Sequence, residues 1–305
     1  MKLQLYFLYF CLIMLSLRLE ANSDTRRWTL DPDEQFTAEL VAYDEATGKV
    51  HLKFHDTEDK YYDFDRFSAV DRAWLLEYVE IGRELDALID DLGGKVEHIV
   101  TQGEYPTELF VYYPSSKQFS TAPLPGMILF SPGGKGARFL KSHVEAAEAT
   151  NFVMISCDTF RNNRDKALSD LFLLRFQEIL PQIIARTQID PQKVYMGGTS
   201  GGAARAYSYS AKVVYPWAGI YANGGWLGGK ENYGRPYASG MRIAMVNGNQ
   251  DRGANHYVDP DSEVLVGRGS KVALFSFEGA HQIPPANTMG KAFNWLLEQE
   301  DFLEE

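Results

Sequence analysis

Cysteine is nearly absent from this chain, with two in 305 residues, Cys11 and Cys157. Cys11 sits in the N-terminal apolar run, so Cys157 stands alone beyond it, and one thiol excludes an internal disulfide. The fold must therefore rest on its hydrophobic core. Cys157 closes the apolar run from Phe152 to Ser156 and reads as a buried structural thiol. An excess of basic charge is missing too. Lys and Arg number 30 against 41 Asp and Glu, a net charge of −11 with no long basic run, which argues against a nucleic-acid partner. No internal repeat or low-complexity run occurs. A hydrophobic fraction of 45% makes a packed core feasible, and the length suits one large domain plus one small one.

What is present begins with a targeting segment. Lys2 supplies a positive start, Leu3 to Leu17 is almost wholly apolar, and Arg18 ends the run. Ala21-Asn22-Ser23 places small residues at alternate positions, as a signal peptidase requires. An apolar run of about 15 residues is short for a bilayer span, and Phe10 before Cys11 argues against a lipid anchor. Residues 1–23 are therefore expected to be a cleaved signal peptide. Its loss removes Lys2, Arg18 and Glu20, a net +1, and takes the charge from −11 to −12. The expected location is secreted or periplasmic, with no stable membrane anchor after cleavage.

Residues 24–80 read as a small β-rich domain. Phe36 to Tyr43, Val50 to Phe54 and Tyr61 to Phe64 are strand-like, with turns at Asp44 to Gly48 and Asp56 to Asp59. Ser68 then caps a helix carrying Trp74, Leu75 and Tyr78. The pattern resembles a Sla-type homology domain, a small SH3-like β-barrel. The matching residues are Arg27-Trp28-Thr29, Phe36-Thr37-Ala38-Glu39, Gly48-Lys49-Val50-His51-Leu52 and Phe67-Ser68-Ala69-Val70-Asp71. The resemblance implies a barrel and a peptide or surface ligand, and it carries no catalytic signature. His51 and His55, with Asp56, Glu58 and Asp59 nearby, lack the loop glycine of a calcium site and a third close ligand for zinc. No metal is expected there.

Ile81 to Leu92 is helical by pattern, and Gly93-Gly94 breaks it. Val96 to Gln102 and Glu108 to Tyr113 look like paired strands. Further strands are expected at Met127 to Phe130, Phe152 to Cys157, Lys193 to Met196, Ala218 to Tyr221, Arg242 to Val246 and Val272 to Phe277. Helices are expected over Ala137 to Thr150, Ala167 to Thr187, from Gly201 onward, and Thr288 to Leu297. Alternating strands and helices over residues 93–303 predict an α/β domain, a parallel sheet covered by helices on both faces.

The chemistry lies at three strand ends. Gly198-Thr199-Ser200-Gly201-Gly202 follows an apolar strand and precedes the alanine-rich Ala203-Ala204-Arg205-Ala206. This is a G-x-S-x-G element in strand–turn–helix context. A serine on so sharp a turn needs slender neighbours, and the Gly201 N–H then faces the reacting carbonyl oxygen. A serine needs a base, and the base needs an acid. Asp251 follows the strand at Arg242, and His281 follows the strand at Val272, in the chain order Ser, acid, His. Asp259 and Asp261 are rival acids farther from the strand end, and His256 is a rival base that follows no strand. His98 and His143 precede the serine. Ser131-Pro132-Gly133-Gly134, after the strand at Met127, is the expected second oxyanion loop, with Gly133 or Gly134 as donor.

From Val96 to Leu297 the chain resembles an α/β-hydrolase of the esterase and polyester-depolymerase-like group. The resemblance rests on Asp190-Pro191-Gln192-Lys193-Val194-Tyr195, the elbow at Ser200, Asn247-Gly248-Asn249-Gln250-Asp251 and Gly279-Ala280-His281-Gln282. Where many relatives have His-Gly, this chain has Ser131-Pro132 before its glycines. The resemblance implies acyl transfer by Ser200, His281 and Asp251, an ester substrate, and no metal or organic cofactor. A serine peptidase with the same triad and a non-catalytic adhesion protein are the alternatives. A dienelactone-type enzyme would carry Cys at the elbow. The glycine-rich segment from Ala222 opposes a lid helix, so an open site for short acyl esters is expected, with polymeric or carbohydrate carriers left open. Trp226 and Tyr221 are the candidate substrate-binding aromatics.

Overall fold

The computed structural model describes residues 25–31, 34–54, 58–104, 106–119 and 121–297. The expected signal peptide and the pair His55 and Asp56 lie outside the described residues. The chain divides into two compact units between Arg66 and Phe67.

The first unit is an antiparallel sheet of four strands in chain order, β1 (Thr25–Leu30), β2 (Glu34–Asp44), β3 (Lys49–Lys53) and β4 (Lys60–Asp63). A bulge interrupts the β2–β3 register between Leu40 and Ala42. Trp28, fully buried, donates its indole N–H to the Ala38 carbonyl at 2.9 Å, as a buried indole must. His51 pairs with Asp59 at 3.0 Å and stacks on Tyr61.

The second unit opens with α1 (Ala69–Leu92). Ser68 caps it by accepting from the Asp71 amide, and Gly93 ends it at φ 77 by donating to Ile89. The two helical stretches expected on either side of Glu80 are one helix, because a lone Gly82 costs only about 1 kcal/mol in a helix interior. Tyr78, Leu88, Ile89 and Leu92 lay it against the core.

The eight-stranded sheet contains β5 (Lys95–Val100), β6 (Glu108–Tyr113), β7 (Leu124–Phe130), β8 (Val153–Cys157), β9 (Ile189–Thr199), β10 (Gly219–Asn223), β11 (Arg242–Gly248) and β12 (Lys271–Phe277). Their spatial order is β12-β11-β10-β9-β7-β8-β6-β5. The expected all-parallel sheet is corrected to a mixed one. β6 runs antiparallel to both β5 and β8, because a short connection after β5 turns it straight back. Thr101 and Thr107 close that connection through their backbones at 3.0 Å. The other pairings are parallel.

Strands buried on both faces send alternate residues to opposite cores. Ile128, Phe130, Val153, Ile155, Ile243 and Met245 join one core. Met127, Leu129, Met154, Ala244 and Val246 join the other. The first core is covered by α4 (Lys166–Thr187), α5 (Gly201–Lys212) and α7 (Val258–Gly267). The second is covered by α1, α2 (Gly136–Lys141), α3 (Val144–Thr150) and α8 (Ala286–Leu296). A short α6 (Arg252–Asn255) precedes α7. The single helix expected over Ala137 to Thr150 is two, α2 and α3. His143 Nδ1 donates to the Phe139 carbonyl at 2.8 Å, and side-chain competition of this kind disfavours a helix interior. Cys157 is buried, and burial raises its thiol pKa to about 12. Among the described residues no helix is long and apolar enough to cross a membrane.

Candidate active site

β9 delivers Ser200 to a turn that α5 continues, with Ser200 at φ 56 and ψ −122. The turn fits only slender residues on either side. A Cβ on Gly198 would stand 2.5 Å from the Phe130 carbonyl oxygen, and one on Gly202 would collide with the same atom. The Ser200 amide donates to the Asn223 carbonyl at 2.8 Å, which pins the turn to the end of β10. Ser200 itself is half-buried.

Asp251 follows β11 and caps α6, its Oδ1 accepting from the Ala254 amide at 3.1 Å. Its Oδ2 lies 2.6 Å from His281 Nδ1. The carboxylate is 6% exposed and the imidazole 45%. A charge-assisted bond to a shielded carboxylate fixes the ring orientation and the tautomer with Nδ1 protonated, leaving Nε2 free to accept a proton. Asn249 stitches the two loops together and Asn255 braces the Asp251 loop itself. The Asn249 amide donates to Phe277, its Oδ1 accepts from Gly279, and Asn255 Nδ2 reaches Gly248.

The rivals fall elsewhere. Asp259 and His256 are exposed. Asp261 is buried and binds the Leu227 amide at 2.7 Å, and desolvation raises its pKa. His98 stacks on Phe110. His143 lies in the core, and burial lowers its pKa to about 4.

At the expected oxyanion loop Gly133 is exposed and Gly134 sits at φ 69. The next two amides are engaged, Lys135 with Ser131 Oγ at 3.4 Å and Gly136 with Asp158 Oδ1. Gly201 begins α5, where backbone N–H groups are free for a ligand. The Asn162 side chain lies directly over Gly201, and the Asn162 backbone N–H donates to the Pro132 carbonyl at 2.9 Å. Asn162 therefore joins the elbow to the glycine loop. Nothing in the polar run Arg161-Asn162-Asn163-Arg164 marks that residue in the sequence.

One of the two substrate aromatics needs correcting. Tyr221 is wholly buried, packed edge-on against Phe293 and His143, and offers no surface to a substrate. In a strand buried on both faces, nothing in the pattern says which side chains look toward the site. Trp226 is half-buried and stacked on Tyr257 at 5.6 Å. The segment between β10 and β11 carries one short 3₁₀ turn, Lys230–Asn232. A cleft of about 600 Å³ lies along α5, lined by Gly201 and Arg205 of that helix, Asn163 and Ser169 before and within α4, and Leu227 of this segment, and none of Ser200, Asp251 or His281 lines it.

This strand order, the reversed second strand and the serine turn after β9 define the class: the chain has the α/β-hydrolase fold. Solved structures of that fold are similar along most of their length. An S-formylglutathione hydrolase from Agrobacterium tumefaciens matches with a TM-score of 0.52 at 14% identity, over 68% of this chain and 96% of that one. Esterase LipW from Mycobacterium marinum matches with a TM-score of 0.56 at 15% identity, over 73% and 87%. A ferulic acid esterase matches with a TM-score of 0.52 at 11% identity, over 68% and 98%. No protein-family profile matches the chain, and no curated protein matches its sequence.

Proposed function

We propose that this protein is a serine hydrolase of carboxylic esters, with Ser200 as nucleophile, His281 as base and Asp251 as the acid that orients it. One observation carries the reading: the shielded 2.6 Å contact between Asp251 and His281 beside a serine held at positive φ between a strand and a helix. Ser200 Oγ attacks the ester carbonyl while His281 Nε2 takes its proton. The Gly201 amide and one from Gly133 or Gly134 hold the oxyanion. The imidazolium returns the proton to the departing alcohol, and water then attacks the acyl-enzyme by the same route. The esterase and S-formylglutathione hydrolase names of the similar structures support an ester or thioester substrate.

The reading extends to the rest of the chain. Residues 1–23 direct export, giving a secreted or periplasmic protein. The small sheet before Phe67 forms an SH3-like barrel of the Sla-type homology kind, and the bulge at Leu40/Ala42 supports the curvature this requires. Its ligand is a peptide or surface group.

The test is a fluorophosphonate probe with peptide mapping, alongside hydrolysis of nitrophenyl esters. Ser200 is the expected site of modification, and Ser200→Ala should end labelling and lower kcat by about 10⁶. Full activity after that substitution would remove the assignment.

A further inference from the structure

Two glycines of the proposed oxyanion hole have no room for a side chain, and one loop is the reason for both. A Cβ on Gly134 would stand 2.6 Å from the Asp158 carbonyl oxygen and 2.9 Å from the Arg161 side chain. A Cβ on Gly201 would collide with the Asn162 side-chain amide. The loop after β8, residues 158–162, therefore packs against the glycine loop and against the start of α5 at once.

That loop is held on both sides. The Asn162 N–H donates to the Pro132 carbonyl at 2.9 Å, and Asp158 Oδ1 accepts from the Gly136 amide. From α5 the Arg205 guanidinium donates to the Phe160 carbonyl and, at 2.7 Å, to that of Arg161. The Asn162 backbone thus has a fixed place. Its side-chain amide makes no hydrogen bond among the described residues, whereas Asn163 Oδ1 accepts from Ser169 Oγ at 3.0 Å. Asn162 is exposed and borders the cleft along α5 together with Gly201, so a ligand can reach it.

The amide is also near enough to act. Its Nδ2 would lie 2.5 Å from a Cβ on Gly201, which puts it within about 5 Å of the Gly201 nitrogen. An oxygen that accepts from the Gly201 N–H stands about 2.9 Å from that same nitrogen. A turn of the unbonded side chain brings its N–H to that oxygen. Further donors are scarce on the glycine loop, since the Lys135 and Gly136 amides are engaged.

We propose that Asn162 is a catalytic residue of the oxyanion hole: its Nδ2 donates to the ester carbonyl oxygen as that oxygen takes up negative charge at Ser200, beside the Gly201 N–H. This rests on the hydrolase reading above. A carboxamide supplies two N–H donors without a charge of its own. The bond strengthens as the oxygen becomes an anion, so it acts on turnover and not on ground-state binding.

The test measures kcat and KM of the full chain on 4-nitrophenyl acetate, with the affinity for phenylboronic acid, whose adduct with a serine is tetrahedral and anionic. The variants are Asn162→Ala and Asn162→Leu, the second filling the same space without a donor. Both should lower kcat by about 100-fold and weaken boronate binding in parallel, with KM and melting temperature near wild type. Where alanine loosens the loop, leucine decides. A kcat near wild type in Asn162→Ala overturns the proposal. So does full turnover in Asn162→Leu, the mark of a spacer over Gly201, or a loss confined to KM or to melting temperature. A wild-type protein that cleaves no ester and takes up no fluorophosphonate removes the hydrolase reading and this inference with it. Active variants beside an active wild type remove the inference alone.

Discussion

The backbone of Asn223 accepts the Ser200 N–H at 2.8 Å, while its side-chain amide donates to Thr199 Oγ1 at 2.9 Å and to the Gln282 carbonyl at 3.0 Å. One buried residue thus joins the nucleophile's turn to the residue that follows His281. Asn223→Ala keeps the backbone bond and loses both side-chain bonds. It should lower kcat by about 10- to 100-fold through misplacement of the base. Fluorophosphonate labelling should slow without vanishing, and urea unfolding should show a loss of about 1–3 kcal/mol.

Gly224 stands against the acid–base pair at φ 57. A methyl there would lie 2.9 Å from His281 Cε1, 3.0 Å from its Nδ1 and 3.2 Å from Asp251 Oδ2. Gly224→Ala should therefore displace the imidazole. A fall in kcat of about 100-fold or more is expected in steady-state assays, with the fold retained by circular dichroism.

The buried aspartates Asp251 and Asp261 should separate cleanly. Asp251→Asn removes the anion that holds His281 and should cost about 10⁴ in kcat, with little change in melting temperature. Asp261→Asn keeps an acceptor for the Leu227 amide and removes a charge that burial disfavours, so turnover should stay near wild type. The opposite pattern would reassign the acid.

His143 sets a pH dependence of stability. Burial lowers its pKa to about 4, whereas the unfolded chain takes up that proton near 6.5. The unfolded state therefore binds more protons between these values. The contribution is fully present above pH 6.5 and is lost as pH falls toward 4, by about 3 kcal/mol. Urea unfolding at pH 7 and pH 4.5 should show a steeper decline for the wild type than for His143→Gln.

Much of this proposed site is legible in the sequence because each proposed triad position follows an apolar strand, and such strands stand out as short runs. Asp251 and His281 are found by their distance from β11 and β12. What is hidden depends on direction and on assembly. Tyr221 sits in a run with no polar alternation, so its side could not be read. The break at His143 comes from one imidazole competing for a backbone carbonyl. The reversal of β6 is set by a short connection, not by its composition. Asn162 and Gly201 lie 39 positions apart (162 to 201), and only the folded sheet brings one over the other.

The backbone of Ser200, at φ 56 and ψ −122, is a conformation in which an L-residue costs about 1–3 kcal/mol. Whole domains hold together by only about 5–15 kcal/mol. Glycine would relax the turn, so a Ser200→Gly protein should melt at a higher temperature than the parent while hydrolysing nothing. Folding alone gives no reason for a serine in so strained a turn, and the proposed role as nucleophile is what would account for keeping one there.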